Sequence, residues 1–457
     1  MRIAILANGT RGDIQPMLAL GCVLEQRGHS VKVTVNQNLA AWARRSGIEI
    51  VSLPFDSEVL LKSEAGQQLL ASRDSLRLSQ AFARLERDAN LALSAAYVEA
   101  ARGADVIIST VMTTYRGSTL SEYFGGVPHG MIATLPVIET AEFPMLLAST
   151  RSLGLGLLNR ASYKLVHALG WRSNHNLIAE MRRALDLPPR RDHPRPERLA
   201  SVGAYSPLLS PRPKDWRADQ QVTGFMVPSP ALRAQLGEGS SPAGLDAWLD
   251  AGDAPVYFGF GSMPVRDPES LLARVSAVAR AKGLRALIGA GWTDFAAHSR
   301  VGDHVFVCPH FDHERVLPRC RAAVHHGGAG TTGAVLRAGL PALVASVFAD
   351  QPYWAARVEQ AGAGVATRFA RLSCETLDAG LDRILGPEMR RAAAVLGQQL
   401  RAEQGADRAA DSVERWAGVP ERIERRYESS VQASNPDGVP SSQSERPERT
   451  WGARTVA

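Results

Sequence analysis

Two clusters of residues in this chain have the types and spacing to hold a phosphorylated ligand and to move a proton. The first is His325-His326-Gly327-Gly328-Ala329-Gly330-Thr331-Thr332-Gly333, followed by the apolar stretch Pro341–Phe348 and then Asp350-Gln351. Ala322-Ala323-Val324 reads as a buried strand, His325 through Gly330 as a turn almost without side chains, and Thr331–Ala338 as the start of a helix. A helix that begins after glycines exposes unpaired N–H groups and the positive end of its dipole, and so attracts phosphate. The second cluster lies at the amino terminus. Arg2–Ala7 reads as a short apolar strand, Asn8-Gly9-Thr10-Arg11-Gly12-Asp13-Ile14-Gln15-Pro16 follows, and a helix carries Met17, Leu18, Leu20, Gly21 and Leu24 before the strand Val31–Val35. Asp13 then sits in the first strand-to-helix loop, at the carboxyl edge of a parallel sheet, where open α/β sheets bind ligands. A carboxylate there can accept a proton from a substrate. It can equally serve as a helix N-cap, and spacing alone leaves both readings open.

The identity of the phosphate ligand is the sharper question. Gly328-Ala329-Gly330-Thr331-Thr332-Gly333 fits G-x-G-x-x-G, and Asp350 lies 20 residues past Gly330, which is the spacing of a dinucleotide site and would suit a nicotinamide oxidoreductase. Against this stand the His pair where plain apolar strand is wanted, the late position in the chain, and Gln351 directly after the acid. A nucleotide sugar accounts for more of the pattern: glycines and His325 on the diphosphate, Asp350 and Gln351 on sugar hydroxyls. No Lys follows the glycines, which excludes a Walker loop.

Taken together, Gly9-Thr10-Arg11-Gly12-Asp13-Ile14-Gln15-Pro16, His325-His326-Gly327-Gly328-Ala329-Gly330-Thr331-Thr332 and Ala349-Asp350-Gln351-Pro352 resemble the bacterial GT-B glycosyltransferases of family 1. The glycopeptide-antibiotic, macrolide and sterol glycosyltransferases are the nearest in pattern. The resemblance runs from residue 1 to about residue 417. It implies an α/β fold of GT-B type, two Rossmann-like parallel-sheet domains facing an interdomain cleft. It implies Asp13 as the general base that deprotonates an acceptor hydroxyl, in a place where plant and macrolide relatives carry His. On the donor side it implies Thr10, Arg11 and Gly12 near the donor, Ser262 on phosphate, His325, Gly327, Gly328, Gly330 and Thr331 around the diphosphate, Asp350 and Gln351 on the sugar, and His310 beside the base. Val307 stands where plant members place a base-stacking Trp.

The activity so implied is inverting, metal-independent transfer of a hexose from UDP-glucose or a dTDP-sugar to a hydroxyl of a lipophilic natural product: a polyketide or macrolide, a terpenoid, a sterol or a peptide. No cofactor is expected beyond the nucleotide sugar as co-substrate. The chain has no Asp-x-Asp pair and no His/Cys cluster at metal-ligand spacing, so no metal is expected. Two other readings remain: a GT-B nucleotide-sugar epimerase, which needs no acceptor, and the NAD-dependent oxidoreductase.

The rest of the sequence must position these groups. At 457 residues, 45% hydrophobic and 21% charged, the chain has soluble globular composition and is long enough for two or three cores. The patterns divide it into an acceptor-binding Rossmann-like domain (1–205), an interdomain linker rich in Pro and charge (206–222), and a nucleotide-sugar-binding Rossmann-like domain (223–400). A helix over 401–417 returns to the first domain in the resembling family, and 418–457, rich in Ser, Pro, Arg and Glu, reads as a disordered tail. A long helical region is expected over Asp74–Ala101, and 136–180, mixed apolar and aromatic, matches the acceptor pocket of that family. Cys22, Cys308, Cys320 and Cys374 form no C-x-x-C pair and suit a reducing, cytoplasmic setting. Met1–Ala7 is too short for a signal peptide's apolar core. The net charge of +6 owes much to Arg182–Arg198, with six Arg against Asp186, Asp192 and Glu197. A solvated loop and weak contact with a membrane surface both fit that segment; nucleic-acid binding does not, because no aromatics interleave with the Arg.

Overall fold

Alternation along the strands accounts for the architecture. In β1 (Arg2–Leu6), Ile3 and Ile5 enter an apolar cluster with Ile14, Leu18, Val31 and Val33, while Ala4 and Leu6 enter a second with Leu53, Leu93, Tyr97 and Ile107. A strand buried on both faces is what parallel pairing requires, since crossover helices cover each side of the sheet. The computed structural model describes residues 1–63, 86–150, 152–190, 198–239, 242–261, 265, 267–293, 295 and 300–418. Within them β1 joins β2 (Ser30–Asn36), β3 (Glu49–Leu53), β4 (Val106–Thr110), β5 (His129–Ala133), β6 (Ala200–Gly203) and β7 (Gln220–Val222) in the parallel order β3-β2-β1-β4-β5-β6-β7.

The second sheet repeats the design. It contains β8 (Val256–Gly259), β9 (Ala286–Gly289), β10 (Arg300–Val301), β11 (Val305–Cys308), β12 (Ala322–His325), β13 (Ala342–Ser346) and β14 (Gly364–Arg368), in the order β10-β11-β9-β8-β12-β13-β14. All pairs are parallel except the short edge strand β10, which runs against β11. Val256 and Phe258 pack on one face of this sheet and Tyr257 on the other. The fold is the expected α/β, GT-B arrangement of two Rossmann-like parallel sheets.

Two boundaries differ from the sequence reading. The expected linker 206–222 ends in β7, so the first sheet continues through Val222. Gln220-Gln221-Val222 is polar and three residues long, which hid it from any hydrophobic pattern. The stretch that follows also belongs partly to the first core: Met226, Leu232 and Leu236 pack with β1 and β2 side chains. At the other end, the helix Gly405–Ala417 presents Ala406, Ala409, Ala410, Val413 and Trp416 to that same core. Arg27 fastens it from the first domain, donating to Asp411 at 2.7 Å and Glu414 at 2.9 Å.

Of the long helix expected over Asp74–Ala101, Asn90–Ala101 is observed, and residues 64–85 lie outside the described residues. So do Ser262, residues 191–197 of the Arg-rich segment and the tail from 419 onward. Among the described residues no helix is long and apolar enough to cross a membrane.

Candidate active site

Strand register lines up the groups that matter. His325 pairs with Gly259 and with Val344, Gly259 pairs with Gly289, and Gly289 with Cys308. The carboxyl ends of β11, β9, β8, β12 and β13 therefore form one row. The loops bearing His310, Gly291, Gly261, the glycine turn and Asp350 all leave from it. In the first sheet β1 ends at Leu6 and releases Gly9–Asp13 at the corresponding edge.

Asp13 is held by its own loop. The helix Arg11–Gln26 has Thr10 as N-cap and Asp13 at its third position, where the pair closes a capping box. The Thr10 N–H donates to Asp13 Oδ2 at 2.8 Å and the Thr10 hydroxyl donates to the same oxygen at 3.1 Å. Gly9 permits this geometry. Its φ is +137°, and a Cβ there would fall 2.3 Å from Oδ2. The capping and proton-accepting readings of Asp13 thus coexist, with Thr10, not Asp13, in the cap position. Burial pushes the Asp13 carboxyl above the usual carboxylate range, although its Thr10 hydrogen bonds act in the opposite direction.

Arg11 is committed elsewhere than to a ligand. It forms an ion pair with Glu238, which also accepts from Gln15 Nε2 at 3.2 Å, and its guanidinium lies 5.1 Å from the centre of the Trp42 ring. Glu238 follows the short helix Pro230–Gln235, whose Arg233 donates from Nε to Asp312 of the second domain at 3.1 Å. This segment bridges the two halves beside the Gly9–Asp13 loop. Gly12, also expected at the donor, is exposed at the start of the helix.

On the opposite wall, the helix Ala329–Arg337 starts at Gly328 with no side-chain cap. A Cβ added at Gly330 would meet nothing within 4 Å, so the first turn opens onto free space. The His pair divides by strand alternation. His325 is fully buried, its Nδ1 accepts from the Gly327 N–H at 3.1 Å, and burial lowers its pKa to about 3. His326 points the other way. A Cβ on Gly261 would lie 2.7 Å from its Cε1, and one on Gly328 would lie 2.5 Å from its Nε2. Its ring is thus wedged between the β8 and β12 glycine turns, and burial lowers its pKa to about 4. The sequence reading named His325 for the diphosphate; His326, beside the same glycine turns, is a second imidazole that reading did not single out. The signal was available, because neighbouring residues on a strand face opposite sides of the sheet.

Asp350 stands at the N-cap of the helix Gln351–Gln360, just after Ala349, whose φ of +54° is unusual for a side-chain-bearing residue. Trp354 Nε1 donates to its Oδ2 at 2.8 Å. Burial raises its pKa to about 6, opposed by the Trp354 bond and reinforced by the charge of Asp13. That coupling places a first-domain carboxylate within electrostatic reach of a second-domain one. Arg11 likewise depresses the pKa of His313 across the same gap, behind the larger effect of burial. Gln351 turns back into its loop: its Oε1 accepts from the Val347 N–H at 2.8 Å and the Phe348 N–H at 3.3 Å. Thr331 is half-buried in the helix's first turn, and His310 is exposed beyond β11. Val307 packs into the core of the second sheet and offers no stacking surface.

A raised carboxylate pKa has a stability consequence. Folded Asp350 holds its proton up to about pH 6, whereas the unfolded chain releases it near 4, so wild-type stability falls as pH rises through that window. The Asp350→Asn variant avoids this loss and can still accept from Trp354. Its melting-temperature advantage over wild type should grow from pH 5 to pH 7, by an amount on the order of 1 kcal/mol. An advantage independent of pH, measured by thermal denaturation at both values, would contradict the burial of this carboxylate.

Comparison with known proteins follows the same lines. Residues 3–107 match the glycosyltransferase family 28 N-terminal domain, and residues 296–415 match the erythromycin biosynthesis protein CIII-like C-terminal domain. The uncharacterized glycosyltransferase Rv1524 of Mycobacterium tuberculosis is 32% identical over 397 residues, covering 85% of this chain and 92% of the relative. The sterol 3-beta-glucosyltransferase UGT80A2 of Arabidopsis thaliana is 29% identical over 425 residues, covering 89% of this chain and 64% of the relative. Among solved structures, the glycosyltransferase VinC in complex with dTDP superposes with a TM-score of 0.64 at 19% identity, over 92% of this chain and all of VinC. The spinosyn rhamnosyltransferase SpnG, complexed with spinosyn aglycone, gives 0.61 at 20% identity, over 91% of this chain and 100% of SpnG. With two facing Rossmann-like sheets, an uncapped glycine-led helix and a relative matched across nearly its whole length, the chain belongs to the family 1 glycosyltransferases of GT-B fold and is a nucleotide-sugar glycosyltransferase.

Proposed function

We propose that the protein transfers a hexose, with inversion, from UDP-glucose or a dTDP-sugar to a hydroxyl of a lipophilic natural product, and that Asp13 is the base. The observation that carries this reading is the placement of Asp13 in the loop that leaves the carboxyl end of β1, together with an uncapped, glycine-led helix leaving the carboxyl end of β12 in the second sheet. Asp13 takes the proton from the acceptor O–H, the oxygen bonds to the anomeric carbon from the side opposite the diphosphate, and the carbon–diphosphate bond breaks. Thr10 fixes Oδ2, which leaves Oδ1 to receive the proton. The first turn at Gly328–Thr331 supplies N–H donors where charge develops on the departing diphosphate, and His326 joins them from Nε2 when its proton leaves the Gly259 carbonyl.

Those donors perform the task that a divalent cation performs elsewhere, so the reaction is metal-independent in this scheme. The acceptor class draws its support from the sterol glucosyltransferase relative and from the aglycone complex of a structural neighbour.

The test is direct. Purified protein is incubated with UDP-glucose or a dTDP-sugar and a panel of hydroxylated polyketides, terpenoids, sterols and peptides, with and without EDTA, and products are read by mass and by anomeric NMR. Transfer with inverted configuration at an unchanged rate in EDTA is expected. Loss of turnover in EDTA, restored by magnesium or manganese, would overturn the metal-free scheme. Conversion of the nucleotide sugar to an isomer without any acceptor would favour the epimerase reading instead.

A further inference from the structure

Seven of the fourteen exposed large apolar residues among those described fall between Leu147 and Leu169. Four of them, Leu157, Leu158, Leu165 and Leu169, lie on the helix Gly156–Ala184. Leu158, Leu165 and Leu169 are seven and four residues apart, and with Leu157 and the exposed Ala161 and Ala168 they form one stripe. Leu157 is 77% exposed, Leu165 is 61%, and Leu155 in the preceding turn is 64%. Isolated exposed leucines are ordinary, but a continuous stripe on a solvent-facing helix leaves apolar surface that some partner should cover.

The charges beside the stripe identify that partner. From Phe143 through Ala179 the sequence contains Arg151, Arg160, Lys164 and Arg172 and no Asp or Glu. Lys164, directly before Leu165, and Arg172, about one turn beyond Leu169, are exposed. Arg160 is neutralised by Asp215, with Nη2 donating at 2.8 Å, and the carboxylate of Glu142 at the near end accepts from the Lys214 N–H at 2.7 Å. An apolar face bordered by cations and cleared of anions has the chemistry of a helix that lies in the plane of an anionic lipid surface.

We propose that the turn at Leu153–Leu155 and the outer face of the Gly156–Ala184 helix dock the enzyme on an anionic bilayer. The apolar stripe enters the headgroup boundary while Lys164 and Arg172 meet lipid phosphates. This is a different surface from the Arg182–Arg198 segment. It makes the first domain a peripheral membrane domain whatever sugar or acceptor is used, so the proposal does not depend on the identity of either substrate.

Vesicle flotation of the full chain tests it, using phosphatidylcholine vesicles with and without phosphatidylglycerol. Wild type should float with the phosphatidylglycerol vesicles and be released at high salt. The variant Leu157→Gln/Leu165→Gln/Leu169→Gln should bind at least about tenfold more weakly, with unchanged melting temperature, because these exposed side chains support no core. Lys164→Glu/Arg172→Glu should lose the preference for the anionic vesicles. The proposal is overturned if wild type fails to float, if the leucine variant floats undiminished, or if light scattering shows a wild-type dimer that the leucine variant converts to monomer. In that last case the stripe covers a second copy of the chain.

Discussion

Asp13→Asn should lower turnover at least about a hundredfold, while its melting temperature and its affinity for nucleotide sugar stay close to wild type. The Asn variant is the informative one because the Thr10 N–H and hydroxyl can donate to an amide oxygen as they donate to Oδ2. The capping box then survives and the helix start is kept. Asp13→Ala should show the same loss of rate plus a stability deficit of about 0.5–2 kcal/mol from the missing cap interaction. The pH profile supplies a second readout. Burial raises the carboxyl above its ordinary range, so the base is protonated, and inactive, over a wider acid interval than an exposed Asp would be. Activity should fall as pH drops through that raised value, and the limb should be absent from the residual activity of Asp13→Asn. Wild-type turnover in Asp13→Asn would remove Asp13 from the role of base.

What the sequence made legible, and what it hid, follows from the range of the interactions concerned. Strands such as Val106–Thr110 and Ala342–Ser346 are buried along their whole length, so each shows as a continuous apolar run. Gln220–Val222 is an edge strand with two glutamines and shows nothing. Asp13 was visible because its loop, its helix and its cap lie within a few residues of one another. Gln351 is held by an equally local arrangement. At the first position of its helix, its side chain reaches back to the Val347 and Phe348 N–H groups, an arrangement that a motif does not distinguish from one facing a ligand. Glu238 was invisible: it meets Arg11 across 227 residues of chain, and no periodicity encodes a pairing between separate domains. The consequence at the site is that Arg11, with Glu238 and Trp42 as neighbours, tethers the Gly9–Asp13 loop to the bridging segment.

His326→Ala should lower kcat/KM on the order of 10²–10³-fold and weaken nucleoside-diphosphate binding, with a smaller loss of stability than His325→Ala. His325→Ala should do the reverse, costing about 2–4 kcal/mol of stability with a smaller effect on the diphosphate affinity of the folded protein. The contrast rests on where two adjacent imidazoles go. His325 sits at the end of β12 with no exposed surface and accepts the Gly327 N–H. Truncating it opens a cavity and leaves that N–H unpaired at the base of the turn. His326 has its ring between Gly261 and Gly328, the two turns through which a diphosphate would approach backbone N–H groups, and its removal deletes a donor at the surface of the site. With a pKa near 4, His326 is neutral at physiological pH, and because its Nδ1 lies 3.5 Å from the Gly259 carbonyl it donates to a diphosphate from Nε2 only in the tautomer that gives up that contact. An anion bound beside it would favour its protonation, so diphosphate affinity should rise as pH falls toward that value and should lose this dependence in His326→Ala. Calorimetric titration with UDP and dTDP, paired with thermal denaturation of both variants, reads all of these effects. Loss of diphosphate binding in a fully stable His325→Ala, with His326→Ala unaffected, would return the phosphate-facing role to His325.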